Sequence, residues 1–277
     1  MKKAIKVIVV VGLCLLIAGG AVFAIGMSKI GWDFKKLSNV DVTTESMVIA
    51  DDFNSINVNA SVTDISILQS EDNKVTVDYC IVKNKNGEVI RQIIPAVQDG
   101  VLVCKEEQIK EERFGFGYAD ESLVIKMPAD KIVELNVVAN TGNIKIGSEN
   151  TERTFSSINI EASTGNLKFE GKTISQNNLN VKMATGNVKF NADVVAKAIS
   201  INASTGNIKG DAKIDFDSLV IETSTGSVKI NTALSKDNYS FLYSTSTGDC
   251  NIDPFIGGAK QISIKTSTGD IDIYFAE

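Results

Sequence analysis

The chain has 277 residues, 43% of them hydrophobic, a formal net charge of −6 and no histidine. That is enough apolar material to bury a core, and the acidic balance gives no general affinity for nucleic acid. Without imidazole there is no Ser-His or Cys-His pair for nucleophilic catalysis and no histidine metal ligand.

At the start, Lys2, Lys3 and Lys6 precede an uncharged run from Val7 to Met27, which as a helix would span about 31 Å and cross a bilayer. The basic flank keeps the N-terminus in the cytoplasm and exports the remainder. The rival reading is a signal peptide cut after Ala24, with Val22 and Ala24 as its small residues; signal h-regions run only about 7–15 residues. An uncleaved anchor over residues 1–28 is therefore expected, making the chain a single-pass cell-membrane protein with an extracytoplasmic C-terminal domain. Cys14 does not read as a lipoprotein cysteine, because Leu13 stands where a small residue is needed.

Residues 29–50 read as a juxtamembrane linker, with Trp32 and Phe34 suited to the interface and Lys35 and Lys36 to head groups. Residues 51–130 read as degenerate solenoid coils with insertions. Ile56, Val58, Ala60, Ile65 and Ile67 fit the pattern described below if Thr63 takes the place of a glycine. Strand-like runs follow at Val75 to Val82, Val101 to Cys104 and Leu123 to Met127, separated by the turn signals Asn86-Gly87 and Asp99-Gly100. The charged insertion Lys105 to Asp120 contains Phe114, Gly115, Phe116 and Gly117. These aromatics read either as a contact loop or as a plug over the open end of the solenoid.

Residues 131–277 carry the repeat. Gly142, Gly165, Gly186, Gly206, Gly226, Gly248 and Gly269 recur at intervals of 20 to 23 residues, each preceded by Thr. Aligned on these glycines, the positions seven and five before are apolar (Leu135 and Val137 in the first unit, Ile199 and Ile201 in the fourth). Position three before is small or Thr in all but Met183, and positions two and four after are apolar apart from Gly210. Alternation on both flanks means two strands with one buried face each. A fainter column at Ile174, Val194, Ile214, Leu234 and Ile256 suggests a third, shorter side. Thr-Gly is a poor two-residue hairpin turn, whereas like residues at equal offsets suit parallel stacking. The fold class expected is all-β, a parallel β-solenoid of 20–23-residue coils preceded by one transmembrane helix.

The Ser-Thr-Gly-Asn/Asp-Ile-x-Ile phrase, the run Leu123 to Pro128 and the N-terminal anchor together resemble the putative adhesin domain family of bacterial envelope proteins built from β-strand repeats. The resemblance covers roughly residues 50 to 277. It implies an envelope location, and it supplies neither an agreed activity nor a catalytic residue.

The residues themselves offer little chemistry. Cys14, Cys80, Cys104 and Cys250 lack zinc spacing. Cys250 replaces an inward Ile or Val, and Cys80 and Cys104 read either as an exported disulfide or as free buried thiols. Asp249 and Asp270, with Asp272 nearby, fit paired glycosidase carboxylates, but they also fit turn formers after Gly, beside Asn143, Asn166, Asn187 and Asn207. No calcium nonapeptide repeat is present, and no cofactor or metal is expected. Three residues after Gly stand Lys145, Lys168, Lys189, Lys209 and Lys229, then Asn251 and Asp272. Stacking would align the five ammonium groups, either as a solvated face partly offset by Glu161 and Glu222 or as a basic stripe for an anionic polymer or lipid head groups.

Two functions survive. One is a non-catalytic binding or adhesion module of the envelope, contacting an anionic envelope polymer or another envelope protein. The other is a structural or regulatory component that self-associates through an open strand edge at Ile271 to Phe275, or supports a membrane partner.

Overall fold

The computed structural model describes residues 2–29, 31–33, 38–110 and 120–277, with side chains described from residue 11 onward. Phe34, Lys35 and Lys36 of the linker and Phe114 to Gly117 of the insertion lie outside the described residues. The chain is mostly β, with one long helix at its start, Lys2–Lys29. The segment Val11–Lys29 is long and apolar enough to cross a membrane and is almost entirely exposed, a test that a signal sequence also passes. The helix ends where Gly31 and Trp32 take positive φ and the Trp32 N–H donates to the Met27 carbonyl (2.9 Å).

The repeat segment folds as two tiers of strands meeting at the glycine corner. Long strands arriving at the corner pair in parallel and in register, so that Leu135, Ile158, Leu179, Ile199 and Leu219 are successive partners. Short strands leaving it do the same through Ile144, Leu167, Val188, Ile208 and Val228. Inward residues of both tiers are buried, as period-two alternation requires. Phe169 and Phe190 stack inside at 5.0 Å. In the next coil Gly210 makes room, since a Cβ there would meet Ile214 Cδ1 at 2.9 Å.

The corner explains the glycines. Gly186 has φ of +140°, and a Cβ on it would fall 1.6 Å from the Gly165 carbonyl oxygen. Each corner therefore sits on the backbone of the one before, with space for hydrogen only. Thr63 holds the glycine position of the first coil: Ile65 and Ile67 pair with Ile144 and Ile146, and Gly142 packs on the Thr63 carbonyl.

The third side is present, and Val194 and Ile214 point inward as expected, but other members of its column differ from those expected. Its column runs Arg153, Thr173, Val194, Ile214 and Thr232, each the partner of the next. Ile174 is only half-buried, and Ile256 is 91% exposed. Register shifts between Phe155 and Ile158, and between Ser175 and Asn178, break the constant offset from glycine on which the sequence column was built.

Chain order and stacking order diverge at both ends. The last long strand, Lys260–Thr268, lies between Ser218–Thr225 and Tyr239–Thr247. The first, Ser55–Ala60, lies between Val101–Gln108 and Val133–Thr141. Residues 70–130 are thus only partly coil-like: Val101–Gln108 and Ser122–Met127 extend the parallel tiers, but Val75–Asn84 and Val89–Ile93 add antiparallel strands. The expected linker also contributes, since Val40–Ile49 pairs antiparallel along the whole of Val75–Asn84.

The edge expected to be open at Ile271 to Phe275 is closed. Ile271–Tyr274 pairs with Val228–Thr232 on one side. On the other, the Asn251 side-chain amide accepts from Ile273 N–H (3.0 Å) and donates to the Ile273 carbonyl (2.9 Å). A side chain thereby takes the place of a peptide group and ends the ladder.

Candidate functional site

The short strands bring the five predicted lysines together. Lys145, Lys168, Lys189, Lys209 and Lys229 are consecutive partners, which spaces their Cα atoms by about 4.8 Å. Lys168 and Lys209 are exposed, and the other three are half-buried, their stems lying along the sheet. Ser66 follows Lys145 at one end of the row and Asp272 follows Lys229 at the other. Lys209 Nζ pairs with Asp211 at 3.0 Å, and Lys229 Nζ lies 5.4 Å from the Tyr274 ring centre. Among the described residues Lys145, Lys168 and Lys189 have no ion pair.

Glu161 and Glu222 do not stand beside this row. Both lie on long strands, across the corner, where Glu161 pairs with Lys182 (2.8 Å) and Glu222 is in register with Lys265. The acidic groups beside the row are instead Asp211 and, in register with Lys229, Asp272.

Next to the row runs a ladder that gives the residue after each glycine its role. Asn143 N–H donates to Asp64 Oδ1 (2.7 Å), Asn166 N–H to Asn143 Oδ1 (3.2 Å) and Asn187 N–H to Asn166 Oδ1 (3.1 Å). The series continues through Asn207 and Ser227, and Asp249 N–H donates to Asp270 Oδ1 (3.0 Å). Each side-chain oxygen satisfies a turn N–H that would otherwise go unpaired. Asp270 is thus engaged in the corner as a backbone acceptor. A second ladder, not anticipated from sequence, crosses the long-strand face: Asn136, Asn159 and Asn180 each donate to the preceding Asn57, Asn136 and Asn159 at 2.8–3.1 Å. Its signal was a column of Asn six residues before glycine. A shallow groove follows this ladder, lined by Val138, Glu161, Lys182 and Asn202.

Buried polar groups elsewhere serve the fold. Arg91 forms an ion pair with Glu121 and lies 3.6 Å from Glu106; Glu106 Oε2 in turn accepts Ser61 N–H (2.7 Å) at the glycine-free first corner. Arg153 is 1% exposed, donates to the carbonyls of Met127, Pro128 and Lys131, and has its pKa lowered by burial to about 10. All four cysteines are free. The Cys80 thiol and the Ser122 backbone exchange hydrogen bonds at 3.2 Å, and burial pushes the Cys104 thiol up to about 12, far from a reactive thiolate. Among the described residues no cluster of three or more Cys, Asp or Glu is placed to hold a metal ion.

No curated protein matches the chain. Solved structures similar to it include a putative adhesin from Parabacteroides merdae (15% identity, TM-score 0.46, covering 87% of this chain and 98% of that one). Another is a putative adhesin from Bacteroides fragilis (20% identity, TM-score 0.44, 84% and 97%). A third is titled a putative lipid binding protein, from Parabacteroides distasonis (18% identity, TM-score 0.46, 85% and 97%). The Toastrack DUF4097 family model matches residues 53–277, four-fifths of the sequence, and the chain therefore belongs to that family.

Proposed function

We propose that the domain is a continuous parallel β-solenoid, held to the outer face of the cell membrane by the N-terminal helix, and that it binds an anionic envelope polymer without catalysis. The observation that supports this reading is the lysine row, five ammonium-bearing side chains on adjacent parallel strands. Neighbours about 4.8 Å apart lie well inside a Debye length of about 8 Å at physiological salt, so their potentials reinforce. A single exposed lysine is worth little against water, but a row engages repeating phosphates or carboxylates through many weak contacts at once.

The test replaces Lys145, Lys168, Lys189, Lys209 and Lys229 together by Gln and confirms an unchanged circular dichroism spectrum. Retention of the full chain on purified anionic wall polymer is then measured at low and moderate salt. Strong, salt-sensitive retention of the parent and its loss in the variant is the expected result. Equal retention of both would make the row a solubility device.

A further inference from the structure

The two ends of the strand stack are finished differently. The outermost strand at the end nearest the helix, Val40–Ile49, carries Asp41 and Glu45, charges of the kind that discourage edge-to-edge pairing. At the opposite end the outermost long strand is Tyr239–Thr247, with the sequence YSFLYSTST. It has no charged residue, whereas the other long strands of the repeat carry Glu134, Glu152, Lys172, Lys197, Glu222 and Lys260.

Only part of its outer edge is covered. Phe241 exchanges both backbone hydrogen bonds with Phe255 (2.8 and 3.0 Å), so Phe241 points its peptide groups away from Lys260–Thr268. By alternation Tyr243 and Thr245 do the same, and among the described residues no strand pairs with them. Leu242 and Ile256 border this edge, 58% and 91% exposed.

We infer that the open edge at Tyr243 to Thr245 is the contact for a second copy of this chain, paired antiparallel about a two-fold axis at Ser244. The register follows from which groups are free. Phe241 is already engaged and the Thr247 carbonyl accepts from Gly269 N–H, so Tyr243 and Thr245 are left to pair with Thr245 and Tyr243 of the copy. Ser244 then faces Ser244, and Leu242 faces Ser246. No like charges meet across the axis. The same rotation turns the Lys236-Asp237 end of one edge toward the Asp249 end of the other. This contact is independent of the lysine row and lies at the far end of the stack from the strand that follows the helix.

The test uses the full chain in detergent. A Ser244→Cys substitution sits on the axis, where facing Cβ atoms in a non-hydrogen-bonded pair come within about 4.5–5.5 Å, close to disulfide reach. Mild oxidation should cross-link it to a covalent dimer at least about tenfold more than Ser200→Cys, an exposed site on the same sheet face in mid-stack. In sedimentation, the parent should be dimeric and Ser244→Lys monomeric with an unchanged circular dichroism spectrum. Equal cross-linking at both cysteines, a monomeric parent, or a Ser244→Lys variant that stays dimeric would each overturn the assignment.

Discussion

The glycine corner makes the sharpest stability prediction, because one substitution can be compared at two positions with different surroundings. Gly186 and Gly87 both have positive φ, +140° and +80°. A methyl group at Gly87 meets nothing within 4 Å, whereas at Gly186 it would lie 1.6 Å from a carbonyl oxygen, where real contacts stay above 3.0 Å. Alanine at Gly87 therefore carries only its backbone penalty, about 1 kcal/mol. Alanine at Gly186 must also force two coils apart by more than about 1 Å out of a spacing near 4.8 Å. That displaces the Gly165 N–H from the Thr185 carbonyl (3.1 Å) and the Asn187 N–H from Asn166 Oδ1 (3.1 Å). Two hydrogen bonds at about 1 kcal/mol each, with the backbone strain, give a loss of about 3–4 kcal/mol. For a domain of this size each kcal/mol lowers Tm by about 2–4 °C, so Gly186→Ala should melt roughly 10 °C below the parent. Gly87→Ala should fall only a few degrees. Thermal melts followed by circular dichroism decide it: equal melting of the two variants would refute the stacked-corner geometry.

Three further outcomes are expected. Ile201, 1% exposed, takes no charge without loss, so Ile201→Asp should destabilise by several kcal/mol in denaturant melts. The Asp78 carboxyl is held below its usual range by hydrogen bonds from Lys126 and Ser46. Its stabilising effect is therefore complete above the unfolded value of about 3.9 and is lost as pH falls through the lower folded value. Asp78→Asn should flatten the decline of the urea midpoint below about pH 4 while lowering it at neutral pH. On topology, protease added to intact cells or protoplasts should remove the C-terminal domain; full protection there, with digestion after lysis, would contradict an exported domain.

How much the sequence revealed depended on how strictly each feature repeats. The five inward columns around glycine, and the register of the lysine row, were legible because they lie within seven residues of the Thr-Gly corner, before register shifts and unequal loops can change the offset. The third side was read one residue out of phase at Ile174 and wrongly at Ile256, because register shifts and unequal loops intervene between it and the corner. The stabilising role of Asn143, Asn166 and Asn187 was visible only as turn propensity. Their hydrogen bonds run to a neighbouring coil, and no local rule reports that. Arg153 gave no signal at all, since its carbonyl partners at residues 127, 128 and 131 lie at the end of the strand Ser122–Met127 and in the turn after it.

The stacking order of the end strands had no sequence signature and the largest consequence. A repeat array read in chain order would leave its last strand, Ile271 to Phe275, as the outer edge, and the apolar content of that strand would make it the sticky one. In the fold the last coil is enclosed between two others, and Asn251 closes the short-strand tier beside it. What remains outermost is the preceding coil, whose long strand lost the outward charge that the other repeat strands carry. A position at the edge and the absence of charge are separate features, one set by topology and one by sequence. A strand buried between neighbours has no need of charges to prevent pairing, whereas an edge strand does. The coil that lacks them is the one that topology placed outside, and that coincidence is what points to a partner strand there.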